Sequence, residues 1–207
     1  MRANTSIRVG ALQIGGMVFK SAESADELTQ IHELNYLTFV REIGQHADPG
    51  RPALVDKFHD KNLYLIAKRD SEVVAMLAVH DRAPFSVAGR MPEPDWIERN
   101  CRGPLEVRLL TVRPGERQTV VLPALLWMLY RAAVAAGYSH LLASGVREQL
   151  RLYYRLGFQA LGPEKPCGRA WFTPLALDIQ ELPSAGRRIA ARIERLVRRS
   201  AAGTGAQ

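Results

Sequence analysis

One stretch limits the fold more than any other. Leu105 to Val112, "LEVRLLTV", reads as a strand, is stopped by Pro114 and Gly115, and leads into an apolar segment from about Thr119 to Ala136 that Gly137 closes. The run from Val120 to Tyr130 is too short to cross a bilayer, is interrupted by Pro123 and is flanked by Arg117 and Arg131, so it reads as a buried helix. A further strand is expected at His140 to Ala143. A chain organised around strand, loop, buried helix and strand must cover its sheet with helices.

The rest of the chain extends that core. From Ser24 to Ile43, Leu28, Ile31, Leu34, Tyr36, Leu37, Phe39 and Val40 recur at helical spacing behind the acidic Asp26 and Glu27, which predicts one amphipathic helix. "LYLIAK" and "EVVAMLAVH" flank a turn at Arg69 to Ser71 and read as an antiparallel hairpin, whereas "APFSVAGRMPEP" is loop-like. A helix at Arg147 to Arg155 is stopped by Gly157, and the last strand is expected at Ala170 to Ile179. Residues 1–16 are expected to form a flexible lead, 17–183 a single domain with a mixed sheet and helices on its faces, and 184–207 a basic amphipathic tail.

Charge sorts the remaining classes. The 207 residues carry a net charge of +7, yet residues 184–207 hold six Arg and one Glu, so the body before them is nearly neutral. Basic residues are not spread over a folded face with aromatics among them, which argues against nucleic acid. In the tail, Ile189, Ile193, Leu196 and Val197 share one helical face, as in a docked helix with a solvated cationic side or one drawn to a membrane surface or an acidic protein. No export signal is evident, so a cytoplasmic location is expected, peripheral at the membrane if the tail binds there. Cys101 and Cys167 read as free thiols, and His32, His46, His59, His80 and His140 form no metal-binding arrangement. Ser144, in "ASGV", has no nucleophile elbow around it and reads as a strand-end residue.

"EVRLLTVRPGERQT", the helix after it and "LYYRLGF" together resemble the GNAT (GCN5-related N-acetyltransferase) superfamily over roughly Met17 to Ile179, with "LYYRLGF" the most specific element. The resemblance implies an α/β (α+β) domain with a mostly antiparallel central sheet, and transfer of an acyl group from a pantetheine thioester to an amine. That chemistry needs a deprotonated amine, a stabilised oxyanion and an acid near the departing thiolate. The resemblance makes Glu106 the general base, with burial able to raise its pKa, unless it merely pairs with Arg108, and makes Tyr153 the acid, with Tyr154 pointing elsewhere. It assigns Val112, Arg117, Gln118, Thr119 and Val120 to the pantetheine and its phosphate. Here the chain departs from the family: the phosphate-loop glycines are replaced by Val120 and Leu122, and Pro123 removes an amide donor, which favours acyl carrier protein over coenzyme A as donor.

"LNYLTFVREIGQH", "LVDKFHDKNLYLIAK" and "VVAMLAVHDRAPFS" resemble the N-acyl amino acid synthase and acyl-homoserine-lactone synthase branch. The Asp56 to Asp60 and Glu106-Val107-Arg108 spacings depart from the lactone-synthase pattern and favour N-acyl amino acid synthesis. On that reading Arg41, Asp56, Asp60, Arg82 and Arg108 shape the pocket of a small amine acceptor, an arginine clamps a carboxylate, and Phe39, Phe58, Phe85 and Trp127 are candidate acyl-tunnel residues. The alternatives are an acetyl-coenzyme-A-dependent N-acetyltransferase and a non-catalytic acyl-thioester-binding module.

Overall fold

A computed structural model describes residues 7–204. Strands β1 (Leu12–Ile14) and β2 (Met17–Ser21) open an antiparallel sheet that continues through β3 (Leu63–Arg69) and β4 (Glu72–His80) to β5 (Pro104–Val112). The pairing of β1 places the start of the sheet before Met17, inside the segment expected to be a flexible lead; residues 1–6 of that lead lie outside the described residues. Helix α1 (Ala25–Asn35) precedes β3, and the short α2 (Trp96–Asn100) lies between β4 and β5. After β5 come α3 (Val121–Ala135), β6 (His140–Val146), α4 (Leu150–Leu156), the short β7 (Gln159–Ala160) and β8 (Lys165–Cys167), β9 (Ala170–Asp178) and α5 (Ser184–Thr204). The strand order is β1-β2-β3-β4-β5-β6-β9-β7, with β8 also on β9, and β5–β6 is the parallel pair.

Helix α1 starts where a capping box forms: the Glu27 amide donates to Ser24 Oγ, and the Glu27 carboxylate accepts the Ser24 amide. That carboxylate also meets Lys20 and Lys68 at 3.0 Å each, tying the helix start to β2 and β3. The expected single helix from Ser24 to Ile43 changes character at Tyr36, where Tyr36–Glu42 wind as a wider π-helix. Widening rotates the face, so Thr38, Phe39 and Val40 point inward and Leu37 stands 51% exposed.

Alternation along the strands divides the core. Leu65, Leu77 and Val79 pack with α3, whereas Tyr64, Ile66, Met76 and Ala78 pack under α1 with Ile31 and Leu34. Helix α3 is apolar nearly all round because it is buried, and Pro123 is tolerated in its first turn, where the backbone N–H needs no intrahelical partner. The expected basic tail is α5, and its apolar face is spent inside the protein: Ile193 is 1% exposed, and Ile189, Leu196 and Val197 pack on the main core. Its six arginines remain exposed.

Gly157 ends α4 at φ +103°, and a Cβ there would lie 2.6 Å from Pro183 Cδ. Gly157→Ala is expected to cost about 2 kcal/mol or more from left-handed strain and the clash. Thermal unfolding should show a fall of at least several degrees.

Candidate active site

The parallel ladder stops early. β5 and β6 pair only from Pro104↔His140 to Val107↔Ala143, after which β5 stays with β4 and β6 stays with β9. A bulge separates them: Leu109 and Leu110 together oppose Leu77, and Leu109 has φ +52°. The extra residue bends β5 locally, and Thr111 and Val112 then resume pairing with Met76 and Ala75 on β4. The opening widens into a cavity of about 600 Å³ lined by Val107 to Val112, Ser144, Val146, Gln149 and Tyr153, and on the far side by Thr38, Phe39, Asp56, Ser86 and Arg90. The π-helical turn is held to β5 by a 2.5 Å hydrogen bond between the buried Thr38 and Thr111 hydroxyls.

Tyr153 faces the cavity and Tyr154 is exposed, as the helical spacing predicts. Burial pushes the Tyr153 phenol up to about 12, so its proton is retained at physiological pH. Its ring stands edge-on to Phe158 at 5.4 Å and fits against Gly145, where a Cβ would meet Leu175 at 2.6 Å and Tyr153 at 3.1 Å. Ser144 Oγ, which also lines the cavity, is buried and has no hydrogen-bond partner among the described residues.

Glu106 lies beneath the cavity and does not line it. Its Oε1 accepts the Ser86 hydroxyl and the Val87 amide at 2.7 Å each, and its Oε2 accepts the Ser86 amide at 2.8 Å. His80 Nε2 sits 2.9 Å from Oε2 without hydrogen-bond alignment, between the rings of Phe58 and Phe85. Burial alone would raise the Glu106 pKa, but His80, Arg108 and the two Ser86 donors outweigh it, so the pKa is lowered and the expected rise is reversed. Arg108 does not bind Glu106 closely: their nearest atoms are 3.9 Å apart, whereas Arg108 reaches Asp56 at 2.8 Å and stacks on Phe58 at 4.5 Å.

The other expected residues divide. Val112, Arg117, Asp56 and Arg108 line the cavity, with Arg117 donating to the Val112 carbonyl and pairing with Glu42. Gln118, Thr119 and Val120 lead into α3 and do not line it; there Thr119 Oγ1 accepts the Val121 amide. Arg41 lies in an adjoining pocket and pairs with Asp48 at 3.7 Å. Asp60 and Arg82 stand outside, where Arg82 donates to the Asp60 carbonyl. Of the four aromatics Phe39 alone lines the cavity: Phe58 and Phe85 enclose His80, and Trp127 is on the buried side of α3, in the main core.

Ser86, Arg90 and His46 are cavity residues that the sequence reading does not place in the site. Ser86 and Arg90 come from the loop-like segment, where no periodicity marks them, and His46 was weighed only as a metal ligand. Partial burial lowers the His46 pKa, against the pull of Asp56 and with Lys57, Arg108 and Arg90 adding to the fall, so its imidazole is neutral at pH 7. Among the described residues no cluster of His, Cys, Asp or Glu has the geometry to hold a metal ion.

No curated protein matches the sequence. Solved structures that share the fold include the following three. FeeM, an N-acyl amino acid synthase from uncultured soil microbes, is 14% identical, with 83% of this chain and 97% of that chain covered at a TM-score of 0.64. BjaI, a CoA-dependent acyl-homoserine lactone synthase solved with SAM and isopentyl-CoA, is 17% identical, with 89% and 90% covered at 0.65. The AHL synthase LasI is 13% identical, with 79% and 90% covered at 0.62. Residues 30–178, more than two thirds of the chain, match the family model described as N-acyl amino acid synthase FeeM. The chain therefore belongs to the FeeM family and is a GNAT-type N-acyltransferase.

Proposed function

We propose that this enzyme moves an acyl group, of greater than acetyl length, from the phosphopantetheine thioester of acyl carrier protein to the amine of an amino acid. The observation that carries the reading is the opening between β5 and β6, with an unpaired backbone edge on one side and the protonated Tyr153 on the other. A pantetheine arm laid in that opening sets its thioester beside the Leu109-Leu110 bulge. The amine nitrogen attacks the thioester carbon, the C–S bond breaks, and the Tyr153 hydroxyl protonates the departing thiolate. The amine's own proton passes to a cavity base, for which His46 is the accessible neutral group.

We assign Glu106 a positioning role in place of the expected proton transfer. Its carboxylate is occupied by three hydrogen bonds and holds the Ser86 end of the loop against β5. For the phosphate, the first turn of α3 has little to offer a pyrophosphate: Thr119 takes the Val121 amide, Pro123 has none and the Ala124 amide returns to Val120. One phosphate held near Arg117 and the Gln118 to Val120 backbone suits a carrier-borne arm better than coenzyme A.

The test is thiol release from acetyl-CoA, decanoyl-CoA and decanoyl acyl carrier protein, with and without pooled amino acids, and mass identification of the product. Acceptor-dependent turnover fastest with the carrier donor is the expected result. Turnover of acetyl-CoA alone would overturn the reading in favour of a short-chain acetyltransferase.

A further inference from the structure

The cavity is lined by two acids, Glu42 and Asp56, and by Lys57, Arg90, Arg108 and Arg117. Glu42 is matched to Arg117 and Asp56 to Arg108. Among the described residues neither Lys57 nor Arg90 has a carboxylate within 4 Å. Lys57 is exposed, with its ammonium over the Phe58 ring at 4.9 Å. Arg90 is half-buried and lodged between two fixed points: Nη1 donates to the Ser86 carbonyl at 3.4 Å, and the guanidinium carbon lies 5.1 Å from the centre of the Phe172 ring.

A guanidinium carries five N–H donors, so one long bond to a carbonyl leaves its fork available. The ring contact holds its plane without neutralising its charge. Ser86, which fixes the near end of this cation, is itself clamped through its amide and hydroxyl to Glu106. The structure thus spends a buried carboxylate on positioning the loop that bears Arg90.

We infer that Arg90 binds the carboxylate of the acceptor and makes the enzyme select amines that carry one. This rests on the acyltransfer reading above and deepens it: the arginine expected to clamp a carboxylate is neither Arg41, which faces Asp48, nor Arg82, which stands outside the cavity. The bidentate geometry available to arginine and not to lysine is what sets the selection.

Two readouts test it. The first is the ratio of kcat/KM for phenylalanine over phenethylamine with decanoyl acyl carrier protein, for the wild type, Arg90→Gln and Arg90→Lys. The wild-type ratio is expected to exceed that of Arg90→Gln by about 10- to 100-fold, mostly through KM, and Arg90→Lys is expected to restore only part of it. A ratio unchanged in Arg90→Gln overturns the inference. The second readout needs no turnover: equilibrium binding of decanoyl-phenylalanine against decanoyl-phenethylamine. Preference for the carboxylate-bearing ligand, lost in Arg90→Gln, supports the clamp even if the wild type forms no product in the first assay, a failure that would count against the acyltransfer reading alone. Equal binding of the two ligands by the wild type overturns the clamp.

Discussion

Glu106→Gln is expected to destabilise the protein by about 3 kcal/mol, because a carboxylate that only accepts is replaced by an amide whose nitrogen must face a donor. Three donors converge on it, the Ser86 amide, the Ser86 hydroxyl and the Val87 amide, and Glu106 is fully buried. Whichever way the Gln amide turns, at least one backbone N–H meets an NH₂ group. For a chain of this size the midpoint of thermal unfolding should fall by roughly 6 to 12 °C. Activity should fall with it, because the Ser86 to Arg90 loop loses its anchor. A variant that kept its unfolding midpoint, lost about 100-fold in kcat and lost the acidic limb of its pH–rate profile would return Glu106 to the role of base.

The same carboxylate has a pH signature. Its folded pKa is lowered, so its stabilisation is present above the unfolded value near 4.5 and is lost as pH falls through the folded one. Glu27 acts in the same direction: burial would raise its pKa, but the Glu23 amide, Lys68, Lys20 and the Ser24 amide bring it to about 2. Denaturant midpoints should therefore hold above about pH 4.5 and decline from there toward pH 2. The decline should be shallower in Glu106→Gln.

Tyr153→Phe should leave the fold intact and lower kcat by about 100-fold. The ring keeps its edge contact with Phe158 and its fit against Gly145, and among the described residues the hydroxyl has no hydrogen-bond partner to lose, so the unfolding midpoint should barely move. KM for donor and acceptor should stay near the wild-type values, because the missing interaction is made with sulfur as it departs. With an arylthiol ester, whose thiolate leaves without help, the deficit should shrink. A deficit independent of the leaving group would make Tyr153 an orienting residue. Since its pKa lies near 12, no loss of the acid form is expected in the pH–rate profile below about pH 10.

Most elements were legible because each announces itself over a few residues. The hairpin showed as two apolar runs around Arg69 to Ser71, and Asp70 takes the positive φ such a turn requires. The short α2, β7 and β8 were missed, being too brief to show a period. The π-helical turn was read as part of an α-helix because a wider turn leaves the same apolar residues in nearly the same places. In the site, Tyr153 was found from "LYYRLGF", and Gly157 is required there by its conformation and by the packing of Pro183. Glu106 was found for the same kind of reason, yet its donors come from Ser86 and Val87, some twenty residues earlier.

The sheet and its helices, the family and the place of the tyrosine can be read along the chain, since periodicity, breakers and motif spacing are properties of neighbouring residues. Which charges are paired and which are left open follows from the folded arrangement. Asp56 cancels Arg108 across 52 positions and Glu42 cancels Arg117 across 75, while Arg90 reaches the cavity with no carboxylate within 4 Å among the described residues. The fold also decides that Glu106 accepts hydrogen bonds from its own loop and that the apolar face of α5 is covered. A side chain's charge state and availability depend on what lies within a few ångströms, and those distances exist only once the chain is folded.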